Sequence, residues 1–226
     1  MIVSNKIFAN RKEAAELLYE VLPTDDMKEE NWIILATSAG GVPIALDLAN
    51  KLNAKFDYLF TKKIFTENNN ECEIAIITET QDIVVHEELL KSFSLDLEDI
   101  YDKSKYMYLN DIQEYKAKYR NSLDIIDLAN KNVLLVDEGL NTGLTMMACI
   151  KSVVSKGAKS ICVAVPVLPE VTINDIETIA DDLYFVQAPA HFVSISFYYK
   201  HLEQIELADI EKLKDNYKKE NDVDSM

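Results

Sequence analysis

The stretch that decides the fold is residues 133–145, which reads VLLVDEGLNTGLT. Four apolar residues predict a buried strand, and two acids follow at its carboxyl end. A turn rich in Gly, Thr and Asn then leads into a helical pattern over about residues 146–156. Ligands of open α/β sheets bind at the carboxyl ends of strands. The stretch therefore predicts a strand, a loop and a helix, with a binding site at the loop.

The loop carries two kinds of polar group. Threonine hydroxyls, backbone N–H groups and a helix N-terminus suit a phosphate monoester, and the helix end favours an anion by roughly 0.3–1 kcal/mol. The residues assigned to this phosphate are Leu140, Asn141, Thr142, Gly143, Leu144 and Thr145. Asp137 and Glu138 repel a phosphate, but they suit sugar hydroxyls or a hydrated Mg²⁺. Acids after a strand can also cap the next element or bind a metal. The Thr-Gly-x-Thr pattern favours a sugar phosphate.

A second glycine loop lies near the N-terminus. The chain has only five glycines, and two of them, Gly40 and Gly41, follow the apolar strand 32–36 and precede a helical pattern over 43–52. Glycine suits tight turns and close approach of the backbone to a ligand. The pair either contacts a ligand or permits close packing of the helix on the sheet.

Several segments together resemble one family. Residues 133–145 resemble the phosphoribosyl-diphosphate (PRPP) motif of type I phosphoribosyltransferases. Residues 36–45, ATSAGGVPIA, resemble the pyrophosphate loop of a subgroup, the stand-alone predicted phosphoribosyltransferases of bacteria and archaea. Further segments that resemble this subgroup are Thr61-Lys62-Lys63, residues 161–169 and residues 192–198. The resemblance runs from about residue 8 to about residue 210.

The resemblance implies a reaction and a role for each segment. The reaction is Mg²⁺-dependent transfer of the 5-phosphoribosyl group from PRPP to a nitrogen acceptor, with release of diphosphate. Asp137 and Glu138 would hold the ribose hydroxyls, and Lys63 would face the diphosphate; these three are the catalytic candidates. The diphosphate-binding set is Thr37, Ser38, Ala39, Gly40 and Gly41. PRPP itself would hold most of the Mg²⁺ coordination, with Asp137 as a candidate protein ligand.

Two departures from the subgroup motivate an alternative. The subgroup has Pro-Arg before Gly-Gly, where this chain has Ser38-Ala39, so a bidentate donor to the diphosphate is missing. Residues 64–71 lack the subgroup's Gly and Pro. A catalytically weak or inactive protein that binds PRPP or a nucleotide and acts as a regulator is therefore the second hypothesis.

Other polar residues give no second site. Lys62 and Lys63 could be ordinary surface lysines, and Arg120 could reach the site or lie on the surface. Phe192 could stack on an acceptor ring or belong to the core. The three histidines lie in dissimilar contexts, which suggests neither a metal triad nor a nucleophile–base pair; they are His86, His191 and His201.

The charge, the cysteine content and the lack of long apolar runs argue against several classes of partner and location. A net charge of −16 and a pI of about 4.6 argue against nucleic acid and anionic membranes as partners. Three dispersed cysteines argue for a reducing compartment, with Cys149 and Cys162 as buried thiols. No signal peptide or apolar run of about 18 residues is visible, so we expect a cytoplasmic protein.

The alternation of strands and helices predicts an α/β fold, a parallel twisted sheet flanked by helices, with a small helical insertion or hood. We expect one domain over residues 1–211, a hood over about 64–122 and a polar tail over 212–226 that frays. Analogy with the fold suggests a homodimer. Besides those above, we predict a helix over 11–22, a loop over 25–30, strands at 56–60, 73–77, 161–167 and 184–188, a turn at 67–70 and mostly helix over 86–120.

Overall fold

The computed structural model describes residues 6–66 and 69–215, and only the backbone over 69–71. The strands in this part of the chain are β1 (Trp32–Ala36), β2 (Lys55–Tyr58), β3 (Thr61–Thr66), β4 (Asn69–Thr78), β5 (Ile83–Val85), β6 (Asn132–Val136), β7 (Ser160–Val167) and β8 (Asp182–Gln187). The α-helices are α1 (Arg11–Val21), α2 (Thr24–Glu29), α3 (Val42–Lys51), α4 (Glu87–Phe93), α5 (Leu97–Met107), α6 (Gln113–Arg120), α7 (Leu144–Ser155) and α8 (Ile173–Glu177). A π-helical turn, Tyr108–Ile112, joins α5 to α6.

Five of these strands form a parallel sheet in the order β2-β1-β6-β7-β8. The register aligns Val136 at the end of β6 with Ala36 on one side and Ala164 on the other. Because the strands are parallel and in step, the loops after β1 and β6 leave the same edge of the sheet side by side. This alignment brings the two glycine loops together.

Both faces of the sheet are buried. On one face, Ile34 and Leu134 pack with residues of α1 and α3. On the other face, Leu35 and Leu135 pack with residues of α7, such as Cys149. Alternate residues of each strand therefore serve opposite cores, which explains why the strands are continuous apolar runs.

The hood is a separate small sheet with helices. Strands β3, β4 and β5 are antiparallel, and α4 and α5 pack on them around a core that includes Ile64, Ile74 and Leu90. Hydroxyl groups join the hood to α7, where Ser152 lies 2.7 Å from the hydroxyls of both Thr78 and Thr80. The hood is thus fixed to the helix that begins at the predicted phosphate loop. Closure of the hood over a substrate stays a prediction.

The α/β fold class is confirmed, and so are most of the elements. The predicted strands 32–36, 133–136 and 161–167 match β1, β6 and β7, and residues 86–120 are mostly helical. Helix α7 begins at Leu144, two residues earlier than predicted, because Gly143 lies in the left-handed region and caps it. These agreements follow from strong apolar periodicity.

The loop predicted over residues 25–30 was wrong, because this segment forms α2. Asp25 and Asp26 in its first turn complement the helix dipole, and Met27 is buried. Asn69 and Asn70, predicted as part of a turn, begin β4, whereas residues 67 and 68 lie outside the described part of the chain. In the predicted tail, residues 212–215 are helical and residues 216–226 lie outside the described part.

Candidate functional site

A cleft of about 1120 Å³ lies at the carboxyl edge of the parallel sheet. Its walls come from four parts of the chain: the loop after β1, strand β3 with its hood neighbours, the loop from β6 into α7, and a C-terminal segment. The predicted site residues that line it are Thr37, Ser38, Ala39, Lys63, Asp137, Glu138, Leu140, Asn141, Thr142, Gly143, Leu144 and Thr145. Gly40 and Gly41 are absent from its described lining.

Asp137 is held tightly at the end of β6. It is 6% exposed, and its carboxylate accepts hydrogen bonds from the hydroxyls of Thr37, at 2.7 Å, and Ser38. The backbone N–H of Glu138 donates to the same carboxylate at 2.8 Å. Burial raises the pKa of Asp137, and the two hydroxyls act in the opposite direction. Both carboxylate oxygens are thus already occupied by protein donors.

Glu138 meets an arginine that sequence reasoning missed. The Nε of Arg11 donates to Oε2 of Glu138 at 2.7 Å, and Nη2 lies 2.6 Å from the same oxygen. The hydroxyl of Tyr199 donates to the backbone carbonyl of Glu138 at 2.7 Å. Burial and the charge of Asp137 raise the pKa of Glu138, while Arg11 opposes that rise. The Glu138 side chain keeps 19% of its surface exposed.

The two glycines of the first loop pack against these two acids. A Cβ on Gly40 would lie 2.5 Å from Cδ and from both carboxylate oxygens of Glu138. A Cβ on Gly41 would lie 2.9 Å from Cα of Asp137. A Cβ at Gly41 would meet the backbone of Asp137, whereas a Cβ at Gly40 would meet the end of the Glu138 side chain and displace it. The two glycines therefore allow the two loops to approach each other this closely.

The start of α7 has the donors expected of an anion site. Met147 is the first helix residue whose N–H pairs within the chain backbone, with the carbonyl of Gly143. In the described part of the chain, no hydrogen bond uses the N–H groups of Asn141, Thr142, Gly143 or Thr145. Leu140 differs from the prediction, because its N–H donates to the carbonyl of Val167 at 3.0 Å. A phosphate here would meet the later part of the loop.

In the predicted diphosphate-binding set, too, some N–H groups are used within the protein and others are not. Thr37 is fully buried, its N–H donates to Val136 and its hydroxyl to Asp137, so it has no donor left for a ligand. The N–H of Gly41 donates to Ser38. No described hydrogen bond uses the N–H groups of Ser38, Ala39 and Gly40. The geometry therefore assigns Thr37 and Gly41 to the loop's own structure rather than to a ligand.

Two lysines enter the cleft from β3 with different partners. Lys63, with a side chain 51% exposed, forms an ion pair with Glu73 of β4 at 2.7 Å. Lys62 donates to the hydroxyl of Tyr115 at 2.9 Å and pairs with Asp111 at 3.1 Å. Lys62 is therefore held by the π-helical turn and by α6. Lys63 is the more accessible cation.

Arg120 does not reach the cleft. Its guanidinium binds both carboxylate oxygens of Glu79, at 2.6 and 3.0 Å, donates to the carbonyl of Tyr58 and lies over the ring of Phe60. Burial raises the pKa of Glu79, and Arg120 lowers it. Arg120 thus ties α6 to the sheet, as a structural residue.

Of the aromatic and histidine candidates, His86 lines the cleft and Phe192 does not. Phe192 stacks on Tyr198 with ring centroids 5.4 Å apart and does not line the cleft. His86 lines the cleft and caps α4, where its Nδ1 accepts from Leu89 at 3.4 Å. The cleft position of His86 was not predicted, because the register that brings β5 beside β4 is a tertiary feature.

The role of Asp137 as a Mg²⁺ ligand stays a prediction. Both oxygens of that carboxylate already accept hydrogen bonds from Thr37, Ser38 and Glu138. Across residues 6–66 and 69–215, no group of three or more His, Cys, Asp or Glu side chains could hold a metal. The same described ranges include no helix with the length and apolar character needed to cross a bilayer.

Comparison with known proteins agrees with this geometry. A family model described as "Phosphoribosyl transferase domain" matches residues 4–188. Two Mycobacterium tuberculosis proteins are each 26% identical to the chain over 199 residues, or 88% of the chain. Their names are "Putative phosphoribosyl transferase Rv0571c" (strain H37Rv) and "Putative phosphoribosyl transferase MT0597" (strain CDC 1551). The match spans 44% of each relative, so the chain covers less than half their length.

A solved structure shares the fold. The crystal structure of TT1426 from Thermus thermophilus matches with a TM-score of 0.73 at 22% identity, covering 92% of this chain and 97% of that one. At this identity the likeness establishes the fold. Because the family model covers most of the sequence, from residue 4 to residue 188, this chain belongs to the phosphoribosyl transferase domain family.

Proposed function

We propose that the protein is a phosphoribosyltransferase that transfers the 5-phosphoribosyl group of PRPP to a nitrogen of a nucleobase-like acceptor. The observation that carries the proposal is a single cleft that combines free N–H groups at the start of α7 with two acids at the end of β6. N–H groups suit a phosphate and carboxylates suit sugar hydroxyls. A ribose phosphate needs both, at neighbouring positions.

The 5′-phosphate is assigned to the loop before α7. The N–H groups of Asn141, Thr142, Gly143 and Thr145 make no hydrogen bond within the described residues, and both threonines add hydroxyls. The positive end of the α7 dipole contributes roughly 0.3–1 kcal/mol to an anion there. Glu138 then receives the ribose hydroxyls, while Asp137 orders the loop through Thr37 and Ser38.

The diphosphate of PRPP is assigned to the N–H groups of Ser38, Ala39 and Gly40 together with Lys63. In the transfer, the bond between C1 and the diphosphate oxygen breaks, and its electron pair leaves with the diphosphate. The acceptor nitrogen supplies the pair of the new C1–N bond and loses its proton to water or a base. Mg²⁺ bound with PRPP would neutralise part of the diphosphate charge. Its inclusion is supported by the family resemblance and not by a set of protein ligands.

Calorimetric titration of PRPP into the protein, with and without Mg²⁺, tests this proposal. We expect Mg²⁺-dependent binding that the double variant Asp137→Asn/Glu138→Gln loses, because the sugar hydroxyls lose their ionised acceptor. Diphosphate release is then measured across a panel of purine, pyrimidine and other nitrogenous acceptors. The absence of PRPP binding at every Mg²⁺ concentration would contradict the proposal.

A second function is that of a sensor that binds PRPP or a nucleotide without transfer. It is favoured because both arginines of the chain are already engaged in ion pairs. The sequence has only two, Arg11 and Arg120, and both are committed to glutamates. Lys63 is paired with Glu73. The diphosphate side of the cleft is therefore poor in free cations. Tight binding of ribose 5-phosphate or a nucleoside monophosphate, with no diphosphate release for any acceptor, would favour this second function.

A further inference from the structure

Arg11 occupies an unfavourable place in its own helix. It is the first residue of α1, where the positive end of the helix dipole disfavours a cation. The helix has a favourable cap without it, since Asn10 accepts the N–H of Glu13 at 3.1 Å. Helix stability therefore does not explain an arginine at this position. Its contacts outside the helix do.

The guanidinium of Arg11 joins three segments that are distant in sequence. It donates to the carbonyl of Gly40 at 2.9 Å, to Oε2 of Glu138 at 2.7 Å and to the carbonyl of Glu203 at 2.8 Å. The Arg11 side chain is only 11% exposed. One arginine thus holds the first glycine loop, the second acid and the C-terminal segment together.

These contacts leave one carboxylate oxygen of the acid pair uncommitted. Asp137 uses both oxygens within the protein, and Arg11 takes Oε2 of Glu138. Oε1 of Glu138 accepts no hydrogen bond in the described part of the chain. It is also not buried, because Oδ2 of Asp47 is the single buried side-chain N or O atom without a hydrogen-bond partner there. Oε1 can therefore accept from a ligand.

We propose that Arg11 is a positioning residue that engages Oε2 of Glu138 and thereby leaves Oε1 to the ribose hydroxyls of a sugar phosphate. This inference rests on the proposed function, which it deepens by naming the one oxygen that receives the sugar. A guanidinium is suited to the task because it carries several N–H donors in one plane, and two of its nitrogens, Nε and Nη2, reach the single oxygen Oε2.

The groups that face Glu138 give the proposal a second readout. They are Asp137 on the same loop, Arg11 from α1 and the hydroxyl of Tyr199 from the C-terminal segment. Arg11 opposes the rise in the Glu138 pKa that burial and Asp137 cause. Without Arg11 the pKa of Glu138 rises further, so sugar binding that needs an ionised Glu138 is lost at a higher pH as the solution is acidified.

The test uses Arg11→Met, Arg11→Lys and, as a matched control, Arg120→Lys, which alters the other buried arginine–glutamate pair. Binding of ribose 5-phosphate and of inorganic phosphate is measured by calorimetry from pH 5 to 9, on samples verified as folded by circular dichroism. For Arg11→Met we expect ribose 5-phosphate to bind about tenfold more weakly, with inorganic phosphate changed less than about twofold. Its pH profile shifts upward. Arg11→Lys recovers part of the affinity, and Arg120→Lys changes neither.

Three results would overturn the inference, and the third is distinguishable from the first two. If native protein binds ribose 5-phosphate and Arg11→Met binds it equally well with the same pH profile, Arg11 is merely a tie between segments. An equal loss of inorganic phosphate binding in Arg11→Met would likewise assign it a general structural role. If native protein binds neither PRPP nor ribose 5-phosphate, the proposed function itself fails, and the assignment of Oε1 fails with it.

Discussion

The carboxylate of Glu138 lies directly against the Cα of Gly40, so closely that a Cβ at Gly40 would be 2.5 Å from Cδ and both oxygens. The same glycine offers its carbonyl to Arg11, which also binds Glu138. The backbone of Gly40 and the side chain of Glu138 are therefore in direct contact, and both bind Arg11. Any side chain at Gly40 must displace the carboxylate.

We expect Gly40→Ala to weaken ribose 5-phosphate binding by at least about tenfold, because the added methyl group moves Glu138 away from Arg11. The φ of Gly40 lies outside the left-handed region, so its backbone accepts alanine. Calorimetry gives the affinity. Gly157→Ala is the matched control: its φ is +74° and nothing lies within 4 Å of the added Cβ, so it costs about 1 kcal/mol of stability and no affinity. Equal binding in both variants would contradict the prediction.

Lys63 and Lys62 are expected to differ in their effect on PRPP. Lys63→Met removes the accessible cation, so we expect PRPP to bind about tenfold more weakly and with a smaller salt dependence, while ribose 5-phosphate is unaffected. Glu73→Gln frees Lys63 from its 2.7 Å ion pair and strengthens PRPP binding. Lys62→Met loses the contacts with Asp111 and Tyr115. We therefore expect it to lower the stability of the protein more than its affinity for PRPP. Titrations at two salt concentrations check this, and equal effects of the two lysine variants would contradict it.

The buried Asp137 is expected to reduce stability as the pH rises. Its pKa in the folded protein is raised from the ordinary 3.8 by burial, so between 3.8 and the raised value the folded state binds more protons than the unfolded state. Stability from this group therefore falls through that window. We expect the stability of Asp137→Asn relative to native protein to increase with pH there and to level off above it.

Asp124 provides a control of opposite sign for that experiment. A hydrogen bond from Lys116 lowers its pKa below 3.8, so its contribution is present above 3.8 and is lost as the pH falls through the lowered value. Urea unfolding of both variants from pH 2.5 to 8 gives the two slopes. Parallel slopes for Asp137→Asn and Asp124→Asn would show that burial does not govern Asp137.

Arg120→Met is expected to destabilise the protein by about 3–5 kcal/mol, because it leaves Glu79 buried without its cation. The Glu79 side chain is 2% exposed. The double variant Arg120→Met/Glu79→Gln should recover a large part of that loss. Chemical unfolding measures the three free energies. Ribose 5-phosphate binding to the folded fraction should be unchanged, and a loss of affinity would instead assign Arg120 to the site.

The sequence by itself determined the fold class and the centre of the site. Residues 133–145 carry a strand signal, two acids and a glycine–threonine turn, and each of these depends on local periodicity or turn chemistry. For the same reason the loop before α7 could be identified from its own segment, whereas Lys63 was named from the family resemblance and its role stays a prediction. The loop predicted at 25–30 failed because burial of Met27, a tertiary contact, stabilises a short helix there.

Only the tertiary structure decided how the acids are used. Arg11 and Glu138 are 127 residues apart, and their contact exists because parallel register sets β1 beside β6 and because Phe8 pairs with Tyr199 just before α1. Local sequence carries no trace of such a pairing, since hydrogen-bond partners at this distance depend on the topology of the whole sheet. The sequence therefore located two acids, and the fold left one oxygen of Glu138 available to a ligand.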